Sequence, residues 1–291
     1  MRLDDGRESS NVEDRRAVGG GRGGLSLTGG RLGLGTIAIA LVASYFLGIN
    51  PMTVLSLLGG GGMAPAAPHA PASAPPRDDA EARFVSIVLA DTEDVWRDLF
   101  AKAGRQYVDP KLVLFRGSTP TACGTGQAAM GPFYCPGDNK VYIDLSFYEE
   151  LKTRFRAPGD FAQAYVIAHE VGHHVQNLLG ISEKADAARR RMSERDANAL
   201  SVRVELQADC FAGVWAHHAN RARRILETGD LEEALAAATA IGDDTLQRSA
   251  GRGVSPDSFT HGSAAQRVRW FRRGIDSGEL RQCDTFSARS L

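Results

Sequence analysis

The sequence predicts an α+β domain, dominated by helices and carrying a small sheet, that is preceded by one N-terminal transmembrane helix. Three observations lead to this prediction: a charge-free apolar stretch near the N-terminus, a Gly/Ala/Pro-rich segment behind it, and a remainder in which short β-type runs give way to helical spacing of apolar residues. The predicted division is residues 1–31 as a cytoplasmic tail, 32–58 as the membrane anchor, 59–79 as a linker and 80–291 as one domain.

The membrane prediction depends on residues 32–76, which contain no Asp, Glu, Lys or Arg. A crossing needs about 20 apolar residues, and the apolar run from Leu32 reaches that length only if Asn50 and Pro51 are accommodated in it. The alternative is a cleaved signal peptide, although the long tail before the run is unusual for one.

Basic residues set the expected orientation of this anchor. Arginines cluster before the apolar run, whereas the next basic residue beyond it is Arg77. The positive-inside rule therefore predicts a single pass through the cell membrane, with the N-terminus in the cytoplasm and the domain in the periplasm or outside the cell. The arginines counted are Arg15, Arg16, Arg22 and Arg31.

The charge distribution argues against a nucleic-acid partner. The formal net charge of the chain is -1, and its acidic and basic residues are interspersed. No basic face is expected from such a pattern.

The secondary structure of the domain follows from the spacing of its apolar residues. A helix is predicted within Glu81–Gly104, with a possible break near Asp91. Two short strands are predicted at Lys111–Phe115 and Lys140–Leu145. All later segments have helical spacing, and the predicted helices are Ser146–Phe155, Asp160–Leu179, Ser182 to about Arg191, Glu194–Ala219, Asp230 to about Gly251, and Ser263–Ile275.

Four cysteines, all beyond the apolar run, are disulfide candidates. Four cysteines allow three connectivities; we favour Cys123 with Cys135, which bracket a glycine-rich loop, and by elimination Cys210 with Cys283. A zinc–cysteine cluster is the alternative, but the chain contains no Cys-x-x-Cys pair.

The main candidate for chemistry is the segment Ala-His-Glu-Val-Gly-His at residues 168–173. Residues four apart share one face of a helix, so His169 and His173 can reach one ion, while Glu170 can approach a water molecule there. Histidines that are merely hydrogen-bonded in the core are the alternative, but the flanking residues are strongly apolar, and burial of an unpartnered polar pair is costly. Gly172, between the two histidines, would allow another backbone to come close.

A catalytic zinc ion takes three protein ligands and leaves one position open. A third histidine in the metzincin pattern is excluded because Gln176 and Leu179 occupy the required positions. The third ligand is then predicted to be Glu205, on a later helix. Asp209 lies one turn further on, where it could accept a hydrogen bond from a ligand histidine and fix its tautomer. The alternative for both acids is a solvated helix face, which their apolar neighbours disfavour.

These residues stand in longer segments that resemble the bacterial neutral zinc metallopeptidases of the YpfJ type. The resemblance extends over most of the chain, from the opening MRLDDGRESSNVEDRR to the C-terminal region. It implies a gluzincin-like zincin fold with one membrane anchor. The segments that carry it are FYCPGDNKVYIDLSFY at Phe133–Tyr148, AYVIAHEVGHHVQNLLG at Ala164–Gly180, VELQADCFAGVWAHH at Val204–His218 and DSFTHGSAAQRVRWFRRGIDSG at Asp257–Gly278.

The predicted function is a membrane-anchored endopeptidase that cleaves peptide or protein substrates with one zinc ion, a zinc-activated water and Glu170 as general base. A further donor is needed for the transition-state oxyanion. We expect it to be His261, with Arg267 and Tyr134 as further candidates for transition-state or substrate contacts; the alternative for His261 is a capping or surface role. A catalytically idle, zinc-stabilised envelope module that binds a protein partner is the alternative function.

Overall fold

The computed structural model describes residues 1–3, 6–17, 73–76 and 78–291. The predicted anchor 32–58 and most of the predicted linker lie outside the described residues. Within the described ranges, no helix has the length and apolar character that crossing a bilayer requires.

The α+β prediction is confirmed, and the sheet is small. Its four strands are ordered β1-β2-β6-β5, with β1, β2 and β6 parallel and β5 antiparallel to β6. A separate antiparallel hairpin is formed by β3 and β4. The strands are β1 Val12–Asp14, β2 Lys111–Phe115, β3 Ser118–Thr121, β4 Gly124–Gln127, β5 Phe133–Cys135 and β6 Lys140–Asp144.

Both predicted strands exist, as β2 and β6, and they lie side by side in the middle of the sheet. The edge position of the sheet beside the cleft belongs to the short strand β5, which pairs with β6. Only three residues long, β5 gave little alternation to detect in the sequence.

Eight α-helices are found among the described residues, and their positions follow the predicted spacing closely. They are α1 Ala80–Lys102, α2 Ser146–Thr153, α3 Asp160–Leu178, α4 Ile181–Arg189, α5 Glu194–Arg223, α6 Asp230–Ala240, α7 Asp243–Ser249 and α8 Ala264–Ser277.

Two helices differ from the prediction for identifiable reasons. The expected break near Asp91 is absent, because this buried carboxylate accepts hydrogen bonds from Trp215 Nε1 (2.8 Å) and Arg223 Nε (2.7 Å) and so stays in a continuous α1. The single helix predicted from Asp230 to Gly251 is two helices. They are separated at Gly242, where the backbone of Ala264 approaches too closely for any side chain.

The core of the domain is built around α3 and α5. Helix α3 is buried over most of its length, and α5 packs against both α3 and α8. The crossing of α5 and α8 is close enough that a Cβ on Gly274 would collide with the carbonyl oxygen of Cys210. Helices that pack at such a short distance can bring charged groups of different helices within hydrogen-bonding distance.

Both predicted disulfides are present. Cys123–Cys135 joins the turn of the β3–β4 hairpin to the edge strand β5, and Cys210–Cys283 joins α5 to the segment that follows α8. The cleft wall and the α5–α8 pair are therefore each held by one covalent link.

The N-terminal residues are part of this same compact unit. Residues 1–17, which the sequence assigned to a tail separate from the domain, contribute strand β1 to the sheet, and Leu3 and Val12 to the core. Val12 pairs with Leu112 of β2 in the parallel register. The unit described by the structure thus contains both the start of the chain and residues 73–291.

Candidate metal centre

Helix α3 places His169 and His173 one turn apart on the face that looks toward α5. The helix forms because nearly all its residues are apolar or small and can be buried. His169 is 7% exposed, so its imidazole lies well inside the surface. The two ring centroids are 4.8 Å apart.

Helix α5 supplies the third predicted ligand. The carboxylate of Glu205 lies 3.2 Å from His169 Nε2 and 3.5 Å from His173 Nε2. Ligands held about 2.1 Å from a tetrahedral zinc ion are separated from one another by about 3.4 Å. One ligand atom from each of the three side chains lies within 4.8 Å of the others, so the donor set has the chemistry and spacing of a zinc site.

The other nitrogen of His169 is fixed by Asp209, as predicted. His169 Nδ1 lies 2.8 Å from Asp209 Oδ1, and Asp209 is fully buried. This carboxylate also accepts hydrogen bonds from the Tyr165 hydroxyl (2.5 Å) and from Arg267 Nη2 (2.8 Å) and Nε (2.9 Å). A proton on Nδ1 leaves Nε2 of His169 free to bind a metal.

Arg267 therefore has a different position from the one that the sequence suggested. Although it borders the cleft, its buried guanidinium is engaged by Asp209 and lies 3.3 Å from the Tyr165 hydroxyl. Its contacts make it a group that holds Asp209 in place rather than a donor to a substrate.

The tautomer of His173 is fixed by Gln176, which the sequence analysis did not recognise. Gln176 Oε1 accepts from His173 Nδ1 at 2.9 Å, while its amide nitrogen donates to the Val204 carbonyl (2.7 Å) and to Gln207 Oε1 (3.1 Å). Since Val204 and Gln207 belong to α5, this one amide joins a ligand of α3 to the helix that supplies Glu205. Its position three residues after His173 was the available sequence signal.

Gly172 has the role predicted for it. A Cβ at this position would lie 2.9 Å from the carbonyl oxygen and 3.1 Å from the Cα of Ala208. Such contacts are too short for an ordinary side chain, so glycine is what lets α3 and α5 approach and brings Glu205 to the histidines.

The electrostatics of the three ligands favour a bound cation. Burial alone would lower the pKa of His169, but the Asp209 carboxylate raises it to about 10. Likewise, burial would raise the pKa of Glu205, whereas His173 and His169 hold it well below its usual range. The two carboxylates thus give the site a negative potential that a divalent ion would neutralise.

Glu170 lies beside the ligands and is 7% exposed. Burial raises its pKa above the ordinary value of a glutamic acid, and the neighbouring histidines oppose that shift. A carboxylate that is desolvated in this way is a better proton acceptor than one in water.

The ligands and Glu170 open into a cleft of about 590 Å³. This volume suits a segment of a few residues rather than a whole folded protein. The cleft is lined by both aromatic and charged side chains. The aromatic side chains include Phe133, Phe147 and Phe155, and the charged ones include Glu150, Arg154, Asp186 and Arg189.

His261 also lines the cleft, where its side chain is 51% exposed. Its Nδ1 lies 3.3 Å from Asp243 Oδ1, and the other oxygen of Asp243 accepts the backbone N–H of His261 at 2.6 Å. The hydrogen bond with Asp243 raises the pKa of His261. The sequence analysis missed Asp243, because it lies 18 residues earlier and at the start of a different helix.

Tyr134 borders the cleft, but its hydroxyl is engaged elsewhere. The hydroxyl lies 3.0 Å from both Asn139 Oδ1 and His174 Nδ1, and it accepts from Asn177 Nδ2 at 3.1 Å. Tyr134 and His174 therefore join β5 to α3 and make no contact with the three ligands.

Comparisons with known proteins agree with this geometry. Residues 1–286 match the model of the family described as "Putative neutral zinc metallopeptidase". The protein YpfJ of Escherichia coli (strain K12) is 51% identical over 290 residues, which cover 98% of this chain and 99% of the relative. The protein Rv2575 of Mycobacterium tuberculosis is 42% identical over 223 residues, 72% of this chain and 73% of the relative. No solved structure shows a significant match. The chain belongs to this metallopeptidase family.

Proposed function

We propose that this member of the neutral zinc metallopeptidase family hydrolyses peptide bonds within polypeptide substrates, with one zinc ion held by His169, His173 and Glu205. The observation that carries the proposal is the convergence of these three ligand atoms on the lining of a cleft, together with the buried carboxylate of Glu170, which lines the same cleft and is not part of the three-residue cluster. Three protein ligands leave a coordination position open, as in catalytic rather than structural zinc sites.

Bound zinc would supply Lewis-acid chemistry, polarising a water molecule and the carbonyl of the bond to be cut. Glu170 is placed to take the proton from the attacking water and to deliver it to the nitrogen of the leaving amine. Its raised pKa fits both duties, because the group must accept a proton and then give it up.

His261 is proposed as the donor to the oxyanion of the transition state. Asp243 holds its Nδ1, so its Nε2 is the nitrogen left for the cleft, and the hydrogen bond with Asp243 raises the pKa of His261 and so favours the cationic ring. Arg267 and Asp209 act on His169 instead, by keeping its Nε2 available to the metal.

The order of the ligands along the chain supports a gluzincin-like site. Two histidines four residues apart on one helix are followed by a glutamate on a later helix, with an aspartate four residues after it. We further propose that the apolar residues 32–58 attach the enzyme to a membrane and that the domain works in an oxidising compartment, which the two disulfides favour.

The decisive experiment is Glu170→Gln in the full-length protein, loaded with zinc and assayed on a library of unstructured peptides. We expect bound zinc at one ion per chain and a fall in kcat/KM of at least about 10³-fold, because the proton acceptor is lost while the ligands remain. The matched control is Glu232→Gln, an exposed residue of α6, which should leave activity unchanged.

Two results would contradict the proposal. Full activity in Glu170→Gln would remove the assigned general base. A wild-type protein that binds zinc but cuts no peptide in the library would favour the idle binding module.

A further inference from the structure

The N-terminal segment, residues 1–17, supplies partners that the domain needs. Glu93 of α1 is fully buried. Its carboxylate accepts hydrogen bonds from Arg7 Nη2 (2.9 Å), from the Ser9 hydroxyl and from Asn11 Nδ2 (2.8 Å). All three donors come from five consecutive positions near the start of the chain.

Among the residues that the structure describes, loss of that segment would leave Glu93 with only Arg97 of its own helix, whose Nη2 is 3.8 Å away and whose side chain is 46% exposed. A buried carboxylate that loses its donors costs several kcal/mol. The N-terminal segment is therefore part of the folded unit.

Strand β1 gives a second, independent attachment. Val12, Glu13 and Asp14 pair in parallel with β2, and Val12 enters the core. The Glu13 carboxylate binds Lys140 (3.0 Å) and Lys111 (3.0 Å), one from each of the two central strands. Main-chain pairing and side-chain charge thus fix the same register.

The two ends of the chain that flank residues 18–72 are also held together. Asp14 forms a β-bridge with Ser73, in which the Asp14 N–H donates to the Ser73 carbonyl at 2.7 Å. A transmembrane crossing separates its two flanks by about 30 Å of hydrocarbon. Flanks that pair with each other cannot be on opposite faces of a bilayer.

Two of the four arginines that predicted a cytoplasmic N-terminus have carboxylate partners in the folded unit. Arg15 pairs with Glu13 at 2.7 Å. Arg16 pairs with Asp14 and Asp79, each at 2.6 Å. These ion pairs place both arginines beside the sheet and the start of α1.

We propose that residues 1–17 lie on the same side of the membrane as the metal centre and complete the sheet of the domain there. The two flanks of residues 18–72 then share one face of the membrane. This replaces the single crossing expected from the sequence, and it does not depend on whether the enzyme cleaves peptides.

Labelling with a membrane-impermeant maleimide tests this topology in the full-length protein. Two single variants are made, Ser10→Cys in the N-terminal segment and Ser290→Cys near the C-terminus, at exposed positions. The four native cysteines are in disulfides and do not compete. Intact spheroplasts and inverted membrane vesicles from the same cells are labelled in parallel, and denatured samples give the full signal.

We expect both variants to be labelled from the same face, in spheroplasts and not in inverted vesicles. Labelling of both only in inverted vesicles would keep the shared side and move the domain into the cytoplasm. Labelling of the two variants from opposite faces would overturn the proposal. Recovery of the unlabelled protein in the soluble fraction after cell breakage would overturn its membrane part.

Discussion

Two fully buried carboxylates, Asp209 at the metal centre and Glu93 beneath the N-terminal segment, present the same electrostatic problem and are stabilised from different sources. The donors to Asp209 come from α3 and α8, which pack directly on its own helix. The donors to Glu93 come from residues 7–11, which lie more than 80 residues before it in the chain. The metal centre is thus internal to the helical layer, whereas the other carboxylate ties the helical layer to the start of the chain.

The largest effect is expected when Asp209 loses its cation. Arg267→Met would leave a desolvated carboxylate that only Tyr165 and His169 contact, so the free energy of unfolding should fall by about 3–5 kcal/mol. Urea denaturation measures it. The control Arg272→Met changes an exposed arginine of the same helix and should alter stability by less than about 0.5 kcal/mol. Equal losses in the two variants would show that Asp209 does not depend on Arg267.

A smaller effect is expected on zinc affinity when Asp209 itself is changed. Asp209→Asn keeps the shape of the side chain but removes the charge that favours a proton on His169 Nδ1. We expect zinc affinity to fall about 10- to 100-fold, measured by competition with a chelator. Unchanged affinity would mean that Asp209 serves only the fold.

In the N-terminal segment, the contribution of Glu13 to the stability of the protein should depend on pH. Burial alone would raise its pKa, but Lys140, Lys111 and Arg15 lower it to about 2. A folded-state pKa below the unfolded value contributes stability above about pH 4.5 and loses it as the pH falls toward 2. Glu13→Gln should therefore destabilise the protein by on the order of 1–2 kcal/mol at pH 7, with the difference vanishing in acid. A difference that is constant from pH 7 to pH 3 would contradict the ion-pair role.

The smallest expected effect is a shift in the pH profile of catalysis. The groups that act on His261 are Asp243 and Glu205, which favour its cation, and Arg267, which opposes it. With Asp243→Asn the pKa of His261 should fall, so kcat/KM should decline at a lower pH on the alkaline side than in the wild type. Asp244→Asn, one residue along α7, is the control and should leave that limb in place. If the alkaline side of the pH profile is the same in Asp243→Asn as in the wild type, His261 does not act in the transition state.

The parts of the fold that could be predicted depend on residues close together in the sequence, whereas the other parts depend on residues far apart in the sequence. Helices α3, α5 and α8 could be predicted because their apolar spacing and their buried faces are local properties of the sequence. The grouping of His169, His173 and Glu205 was also predictable, since the two histidines are one helix turn apart and the glutamate has a charged neighbour four residues on.

Strand β1 could not be predicted, because Val-Glu-Asp carries one apolar residue and its partner β2 lies about a hundred residues later. The same holds for the contact between His261 and Asp243. Pairing at such separations is decided by tertiary packing, which leaves no periodic trace in a short segment.

Through Gln176, the orientation of the His173 ring depends on how α3 and α5 are aligned. The Gln176 amide meets His173 at one end and two groups of α5 at the other. If α5 slid by a single residue along α3, the amide would lose both its carbonyl and its side-chain acceptor, and the ring of His173 would be released to rotate. The binding of a metal ion by His169, His173 and Glu205 would therefore depend on the alignment of the two helices, and a molecule that separates α3 from α5 would weaken that binding without touching any of these three side chains.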